Sequence, residues 1–108
     1  MSDKTVLTID FAKLGGPVYS GRARGKFARA NLKLDEIDKE HGVVEIIIPE
    51  SAYTVTSSFI LGLLDKSVRK YGSIESFREH YKIRAPKQFD EIFVSSLSSA
   101  LKDNRSLV

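Results

Sequence analysis

The spacing of polar and apolar side chains changes several times along the chain. Residues 5–11 alternate with a period of two, which places Leu7, Ile9 and Phe11 on one face. This alternation is typical of a half-buried β-strand. Residues 15–17, Gly-Gly-Pro, then interrupt the pattern. The sequence therefore predicts a first strand followed by a turn.

From residue 20 the apolar positions recur at steps of three and four, the spacing of one helix face. These positions are Ala23, Phe27, Ala30, Leu34 and Ile37. Ser20 is a suitable N-cap, and Gly42 suits a left-handed turn after the last helical residue. We expect a single long helix between them, with the five apolar side chains facing the core.

Residues 43–48 are apolar except for Glu45 and are rich in β-branched side chains. Bounded by Gly42 and Pro49, this run predicts a central strand that is covered on both faces. Residues 51–55 fit a short strand or a turn.

A second helix is predicted over residues 57–71, where a broad apolar stripe precedes Gly72. A short helix should follow from a Ser73 cap, then a strand over residues 80–84. Pro86 suits the first turn of a final helix, whose apolar face is formed by Phe89, Ile92, Phe93, Leu97, Ala100 and Leu101. Residues 103–108 have little to bury and are expected to fray.

Strands and helices thus alternate, which predicts an α/β fold. We expect a small central sheet, mostly parallel in its centre, packed with three to four helices. The 108 residues fit a single domain over residues 1–108.

Composition narrows the classes of function only a little. The apolar fraction is 42% and the charged fraction 29%, as in ordinary globular proteins. The chain has no cysteine, which excludes disulfides and thiolate chemistry and suits a reducing cytoplasm. No apolar run is long enough to span a membrane, and the first residues do not resemble a signal peptide. We expect a cytoplasmic protein without membrane contact.

Catalytic patterns are weak. His41 and His80 are far apart in sequence and have no carboxylates at metal-ligand spacing. The serines lack an evident base, and no glycine pattern forms a phosphate loop. We therefore expect no catalytic residue, metal or cofactor, although a small enzyme with a site assembled only in space remains an alternative.

A basic stripe follows the first predicted helix. Arg22, Lys26, Arg29 and Lys33 recur at steps of four, three and four, and Arg24 adds a further charge near the helix start. No acidic residue lies in residues 20–34. Three interpretations remain open: a solvated flank of the helix, a surface for an acidic protein, or a nucleic-acid site. The net charge of +3 requires none of them.

Three hydroxyl residues, Thr56, Ser57 and Ser58, stand where the short strand ends and the second helix begins. At least one should cap the helix by accepting a hydrogen bond from a free backbone N–H. A phosphate at this position is also compatible with the fold, because the helix start favours negative charge. Ser57 and Ser58 are therefore candidate phosphorylation sites.

The strand Val-Val-Glu-Ile-Ile-Ile, the short loop and the segment Thr-Val-Thr-Ser-Ser-Phe-Ile-Leu-Gly-Leu-Leu together resemble the central part of STAS domains, the anti-sigma factor antagonists. The Ser58-Phe59 pair and the arginine-bearing first helix are closer to the STAS-like family of uncharacterised domains. The resemblance implies a STAS-like sandwich, and it places Ser57 where the antagonists carry their phosphoserine. Thr56 and Phe59 stand where those antagonists have Asp and Gly.

The resemblance also implies a partner, a GHKL-type ATPase that is a serine kinase. Our leading hypothesis is a non-enzymatic regulatory module that binds such a protein through residues 50–59. The expected contact residues are Glu50, Tyr53, Thr56, Ser57, Ser58 and Phe59. The alternatives are a nucleic-acid or acidic-protein binder that uses the basic helix, and a protein that assembles through a sheet edge.

Overall fold

The computed structural model of the chain describes residues 6–10, 18–50, 52 and 54–106. Strands and helices alternate along it in the order β1 (Val6–Asp10), β2 (Val18–Tyr19), α1 (Arg22–Leu32), α2 (Leu34–Lys39), β3 (Val43–Ile47), β4 (Thr54–Val55), α3 (Ser57–Tyr71), α4 (Ile74–His80), β5 (Tyr81–Arg84) and α5 (Asp90–Ser106). A 3-10 turn at Lys87–Phe89 precedes α5. The predicted α/β fold is confirmed, with five helices in the described residues instead of three to four.

The strands form two small sheets, and both are parallel. The larger sheet has the order β1-β3-β5, and the smaller one pairs β2 with β4 over two residues each. Parallel neighbours need a crossover connection, which the helices supply. The expected parallel sheet is thus confirmed for the described residues. The predicted Gly-Gly-Pro turn at residues 15–17, and both ends of the predicted first strand, lie outside them.

The central strand β3 is fully buried on one face and only half-buried on the other. Val44 and Ile46 are fully buried, whereas the alternate residues of β3 are half-exposed. On the open face Thr8 donates a hydrogen bond to Glu45, at 3.4 Å, and Arg84 forms an ion pair with Glu45, at 2.5 Å. The prediction of a strand covered on both faces is therefore wrong, because the polar side chains of Thr8, Glu45 and Arg84, one from each strand, interact with one another on the outer face of the sheet.

The first predicted helix is broken into α1 and α2. Lys33 between them has left-handed backbone geometry, with φ of +56°. The N-cap position of α1 is Gly21, whose φ of +90° also suits glycine, so the expected Ser20 cap is wrong. His41, and not Gly42, takes the left-handed conformation before β3.

The buried face of α1 also differs from the prediction. Ala23, Phe27 and Ala30 are exposed to solvent, and Phe27 retains 69% of its accessible surface. The residues that α1 buries are Gly25, Ala28 and Arg29. Leu34 and Ile37 are buried as expected, but they belong to α2, which the break at Lys33 redirects.

Two glycines explain why α1 turns this face inward. A Cβ atom on Gly25 would lie 2.3 Å from the carbonyl oxygen of Phe59 on α3. A Cβ atom on Gly62 of α3 would lie 2.3 Å from the carbonyl oxygen of Arg22. The backbones of α1 and α3 are thus in direct contact, which only residues without a side chain allow.

The second half of the chain follows the prediction closely, except that Pro86 precedes the 3-10 turn at Lys87–Phe89 and does not lie in the first turn of α5. The helix α3 spans the predicted residues and ends at Gly72, whose φ is +84°. The side chain of Ser73 accepts a hydrogen bond from the Ser76 N–H and caps α4. Residues 103–106 continue α5 and residues 107–108 lie outside the described part, so the expected fraying of residues 103–108 stays a prediction. Within the described part, no helix combines the length and apolar character of a membrane span.

Candidate functional site

Thr56 is the residue that caps α3. Its Oγ1 accepts hydrogen bonds from the backbone N–H of Phe59, at 3.2 Å, and from that of Gly21, at 3.3 Å. The first bond satisfies a free N–H of α3, and the second holds the start of α1 beside it. The predicted capping role is confirmed, and it falls to Thr56.

The two candidate phosphorylation sites differ in accessibility. Ser57 is half-buried, and its Oγ accepts a hydrogen bond from the hydroxyl of Ser96 on α5, at 3.0 Å. Ser96 is itself buried. Ser58 is exposed to solvent. Of the two hydroxyls, that of Ser58 is the one that solvent reaches without the loss of a contact between α3 and α5.

The other expected contact residues differ in their exposure to solvent. Phe59 is 2% exposed and its ring packs against that of Tyr19, with centroids 5.8 Å apart. A partner contact by the Phe59 side chain is therefore wrong, because the core uses it. Glu50 is exposed, and Tyr53 lies outside the described residues.

Arg29 does not belong to an exposed basic stripe. Its side chain is only 8% exposed and lies between α1, α2 and α3. Its Nη1 donates to the Leu63 carbonyl and to the Ser67 hydroxyl, both at 2.8 Å. Its Nη2 lies 2.7 Å from Asp35 and 3.2 Å from Asp38. The basic-patch prediction is therefore wrong for Arg29.

Asp38 is the centre of this buried polar cluster. The Ser67 hydroxyl donates to Asp38 Oδ2 at 2.6 Å, and the Tyr81 hydroxyl donates to Asp38 Oδ1 at 2.7 Å. Together with Arg29 these side chains join α1, α2, α3 and β5. Burial raises the pKa of Tyr81, while the hydrogen bond from Arg29 lowers the pKa of Asp35.

The cluster residues Asp38, Ser67 and Tyr81 were not predicted from the sequence, although two of them carried a signal. Asp38 follows Leu34 by four residues and so shares its buried helix face. Ser67 follows Leu63 by four residues on α3. Polar side chains at such core positions indicate partners in the interior, because an unpaired buried polar group is costly.

A further ring cluster lies at the other end of α3. The rings of Tyr71 and His80 stack with centroids 4.5 Å apart, and His41 lies 6.1 Å from His80. The Tyr71 hydroxyl is buried without a hydrogen-bond partner among the described residues. No group of three potential metal ligands occurs in the described part of the chain.

The exposed face of α1 carries Phe27, the most exposed large apolar side chain among the described residues. Its apolar stripe, Ala23, Phe27 and Ala30, lies on the side of the helix away from α3. The exposed cations Arg24, Lys26 and Lys33 lie beside this stripe. Residues three or four apart are neighbours on a helix, so Lys26 lies next to Ala23 and Ala30. We define the α1 surface as Ala23, Arg24, Lys26, Phe27, Ala30 and Lys33.

Arg22 stands at the rim of the α1 surface. Its side chain is 47% exposed and forms an ion pair with Asp65 of α3, at 3.3 Å. The Nη1 of Arg24 donates a hydrogen bond to the Val18 carbonyl, at 3.3 Å. Lys26 and Lys33 are exposed. The charge that faces solvent is thus smaller than the sequence stripe indicates, but it remains positive.

Comparisons with protein-family models, with curated proteins and with solved structures find no match to this chain. The α1 surface and the start of α3 are therefore interpreted from their own geometry. The features that bear on function are an exposed aromatic ring, the cations around it and an exposed hydroxyl at Ser58.

Proposed function

We propose that the chain is a non-enzymatic regulatory module that binds a protein partner through the α1 surface. The observation that carries this proposal is Phe27, which is 69% exposed in the middle of a helix. Protein interfaces bury aromatic rings at their centre and keep charged side chains at their rim, which is the arrangement of Phe27 and the cations around it. Exposing it to water is unfavourable, and a partner that covers it recovers that free energy.

The charges around Phe27 indicate an acidic partner. Arg24, Lys26 and Lys33 are exposed around the stripe, and residues 20–34 contain no carboxylate. A second copy of the same surface would place like charges opposite one another in a two-fold contact. Complementary acidic groups instead speed association and select the partner.

The identity of the partner rests on the resemblance to STAS-like domains. A parallel sheet and a capped helix after a short strand are compatible with a STAS-like sandwich. In this proposal the partner is a GHKL-type ATPase with serine kinase activity. Its second contact is the part of residues 50–59 that remains accessible, Glu50 and Ser58.

Ser58 is the site at which the partner acts on the module. The kinase transfers the terminal phosphoryl group of ATP to this hydroxyl, which adds about two negative charges at the start of α3. The starts of α1 and α3 are joined through Thr56 and Gly21, so the new charge lies on the side of the molecule where α1 begins and lowers the affinity for an acidic surface. Modification of Ser57 requires loss of its bond with Ser96 and is the less favoured route.

A nucleic-acid binder is the alternative function. The exposed cations Arg24, Lys26 and Lys33 favour it, but Arg29 is buried and Arg22 is paired with Asp65. Fewer free cations mean fewer phosphate contacts and weaker binding. A mobility shift at low salt that disappears at higher salt would support this alternative over the protein-binding proposal.

The test is affinity capture from an extract of the native cells, with bound proteins quantified by mass spectrometry. The wild type should retain an ATPase, and Phe27→Ala and Lys26→Glu should each reduce its recovery at least about tenfold. Lys70→Glu, which changes an exposed charge on α3, is the matched control and should retain it. Equal recovery by wild type and Phe27→Ala contradicts the proposal.

A second arm tests the switch at the start of α3. Ser58→Asp should weaken the captured complex, whereas Ser58→Ala should leave it intact. Ser57→Asp serves as the comparison, because it also removes the bond with Ser96 and should lower thermal stability. Unchanged binding by Ser58→Asp and by Ser57→Asp would exclude the switch while leaving the docking proposal untouched.

A further inference from the structure

The outer edge of β5 is a second place where backbone groups lack a neighbouring strand. In the described part of the chain β5 pairs with β3 on one side and with no strand on the other. Exposed strand edges are templates for pairing with another extended chain. This edge lies on a different part of the fold from the α1 surface.

One hydrogen bond shows which backbone N–H and carbonyl groups of β5 point away from β3. The Ile48 N–H donates to the Arg84 carbonyl, at 2.8 Å, so Arg84 and Lys82 direct their backbone groups toward β3. Backbone groups alternate along a strand, and Ile83 therefore directs its N–H and its carbonyl outward. The Tyr81 carbonyl points the same way, while the Tyr81 N–H already donates to the Phe77 carbonyl.

A cleft of about 590 Å³ runs between this edge and the first turns of α5. The α5 side is apolar and consists of Phe93, Val94 and Leu97, of which Val94 is 43% exposed. The rim toward α4 and β5 carries the cations Arg78 and Lys82, and the first residue of α5, Asp90, adds one carboxylate. The cleft thus combines backbone hydrogen-bonding groups, an apolar wall and two cations against one carboxylate, which leaves its charge positive.

We propose that β5 and this cleft bind an extended peptide segment of a partner protein, in which apolar and acidic residues alternate. The segment adds a strand beside β5 and exchanges hydrogen bonds with Ile83 and the Tyr81 carbonyl. Its apolar side chains lie on the face of Ile83 and contact Val94. Its carboxylates lie on the opposite face, beside Lys82, because side chains alternate across a strand.

Charge decides between a partner segment and a second copy of this chain. Pairing of two β5 edges around a two-fold axis would place the cations Lys82 and Arg84 opposite those of the other copy. Like charges directly across a strand pair are unfavourable, and opposite charges are favourable. An acidic peptide satisfies this condition, and β5 itself does not.

The test uses a defined probe, the capped pentapeptide Glu-Val-Glu-Val-Glu, titrated into the isotope-labelled protein of residues 1–108 and followed by NMR. The amide signals of Ile83 and Val94 should shift together and saturate. The Ile83 amide, newly hydrogen-bonded, should exchange with solvent at least about tenfold more slowly at saturation. The pentapeptide Lys-Val-Lys-Val-Lys should cause no such change.

Substitutions show whether the peptide binds at β5 and α5 or at the α1 surface. Lys82→Glu and Val94→Asp, both at exposed positions, should each weaken binding at least about fivefold. Lys26→Glu carries the same charge change on the α1 surface and should bind the peptide like the wild type. A folded Lys82→Glu variant with unchanged affinity overturns the proposal, and so does loss of binding by Lys26→Glu. Concentration-dependent dimers that Val94→Asp abolishes would also overturn it, since a second copy would then be the occupant.

Discussion

Replacement of Gly25 by alanine adds one methyl group where α1 and α3 are in backbone contact. The new Cβ would lie 2.3 Å from the Phe59 carbonyl oxygen and 2.8 Å from the Leu63 nitrogen. Both obstructing atoms belong to the backbone, so no side-chain rotation relieves the overlap. The two helices must separate by about 1 Å at this point to restore ordinary contact.

The free energy of unfolding should fall despite the better helix propensity of alanine. Overpacking of this kind costs about 3 kcal/mol when backbone atoms must move. The substitution recovers about 1 kcal/mol of propensity, which leaves a net loss of about 2 kcal/mol. For a domain of this size such a loss lowers Tm by about 8–16 °C. Separation also stretches the 2.8 Å bond from Arg29 to the Leu63 carbonyl.

Denaturant titration followed by circular dichroism measures this change. Ala30→Gly is the matched control, because it removes one methyl group from an exposed position of the same helix and reports propensity alone. It should cost about 1 kcal/mol. If Gly25→Ala is as stable as the wild type, the close contact between α1 and α3 is refuted.

Three further substitutions test the interior and the cap. Arg29→Met leaves the Asp38 carboxylate buried without its cation and should lower the free energy of unfolding by about 3–5 kcal/mol in denaturant titration, whereas a loss below about 1 kcal/mol would show that the cluster is solvated. Thr56→Ala should lower it by about 1–2 kcal/mol and Ser58→Ala by almost nothing; equal losses would mean that Thr56 is not the cap. The raised pKa of Tyr81 stabilises the fold below pH 10.0, where the phenol is protonated in both states, and this contribution declines as pH rises further. The stability advantage of wild type over Tyr81→Phe, measured by thermal melts, should therefore shrink above that pH; a constant advantage would contradict the burial of this hydroxyl.

Local sequence signals were sufficient for the elements of the second half of the chain. The helix α3 begins after a capping threonine and ends at a left-handed glycine, and both signals act within a few residues. The capping serine of α4 acts at the same range. Such elements are predictable because the groups that stop or start the helix are neighbours in sequence.

The face of α1 was not predictable in the same way. The apolar residues Ala23, Phe27 and Ala30 form a regular stripe, but the helix buries Gly25 and Arg29 instead. The reason lies in residues far along the chain, namely Gly62, which allows close approach, and the Leu63 carbonyl and Ser67 hydroxyl, which accept hydrogen bonds from Arg29. A hydrophobic period records only which side chains share a face, and close contact with a distant helix overrides it.

The candidate site was predicted only in part, again because contacts between residues far apart in sequence decide which side chains are exposed. The exposed cations of α1 and the hydroxyls at the start of α3 were visible in the sequence. Which hydroxyl faces solvent was not, because Ser57 is bonded to Ser96 of another helix. The exposure of Phe27 was also hidden, since it depends on the inverted face of α1.

Site-specific photo-cross-linking at position 27 tests the central claim most directly. A photoreactive phenylalanine analogue replaces Phe27, and a second protein carries it at the exposed position of Lys70 on α3. Irradiation in the native cells should join the first protein to one discrete partner, with acidic residues at the cross-linked surface, and should leave the second protein free of that product. If position 27 gives no product, or if both positions give the same one, the α1 surface is not the docking site.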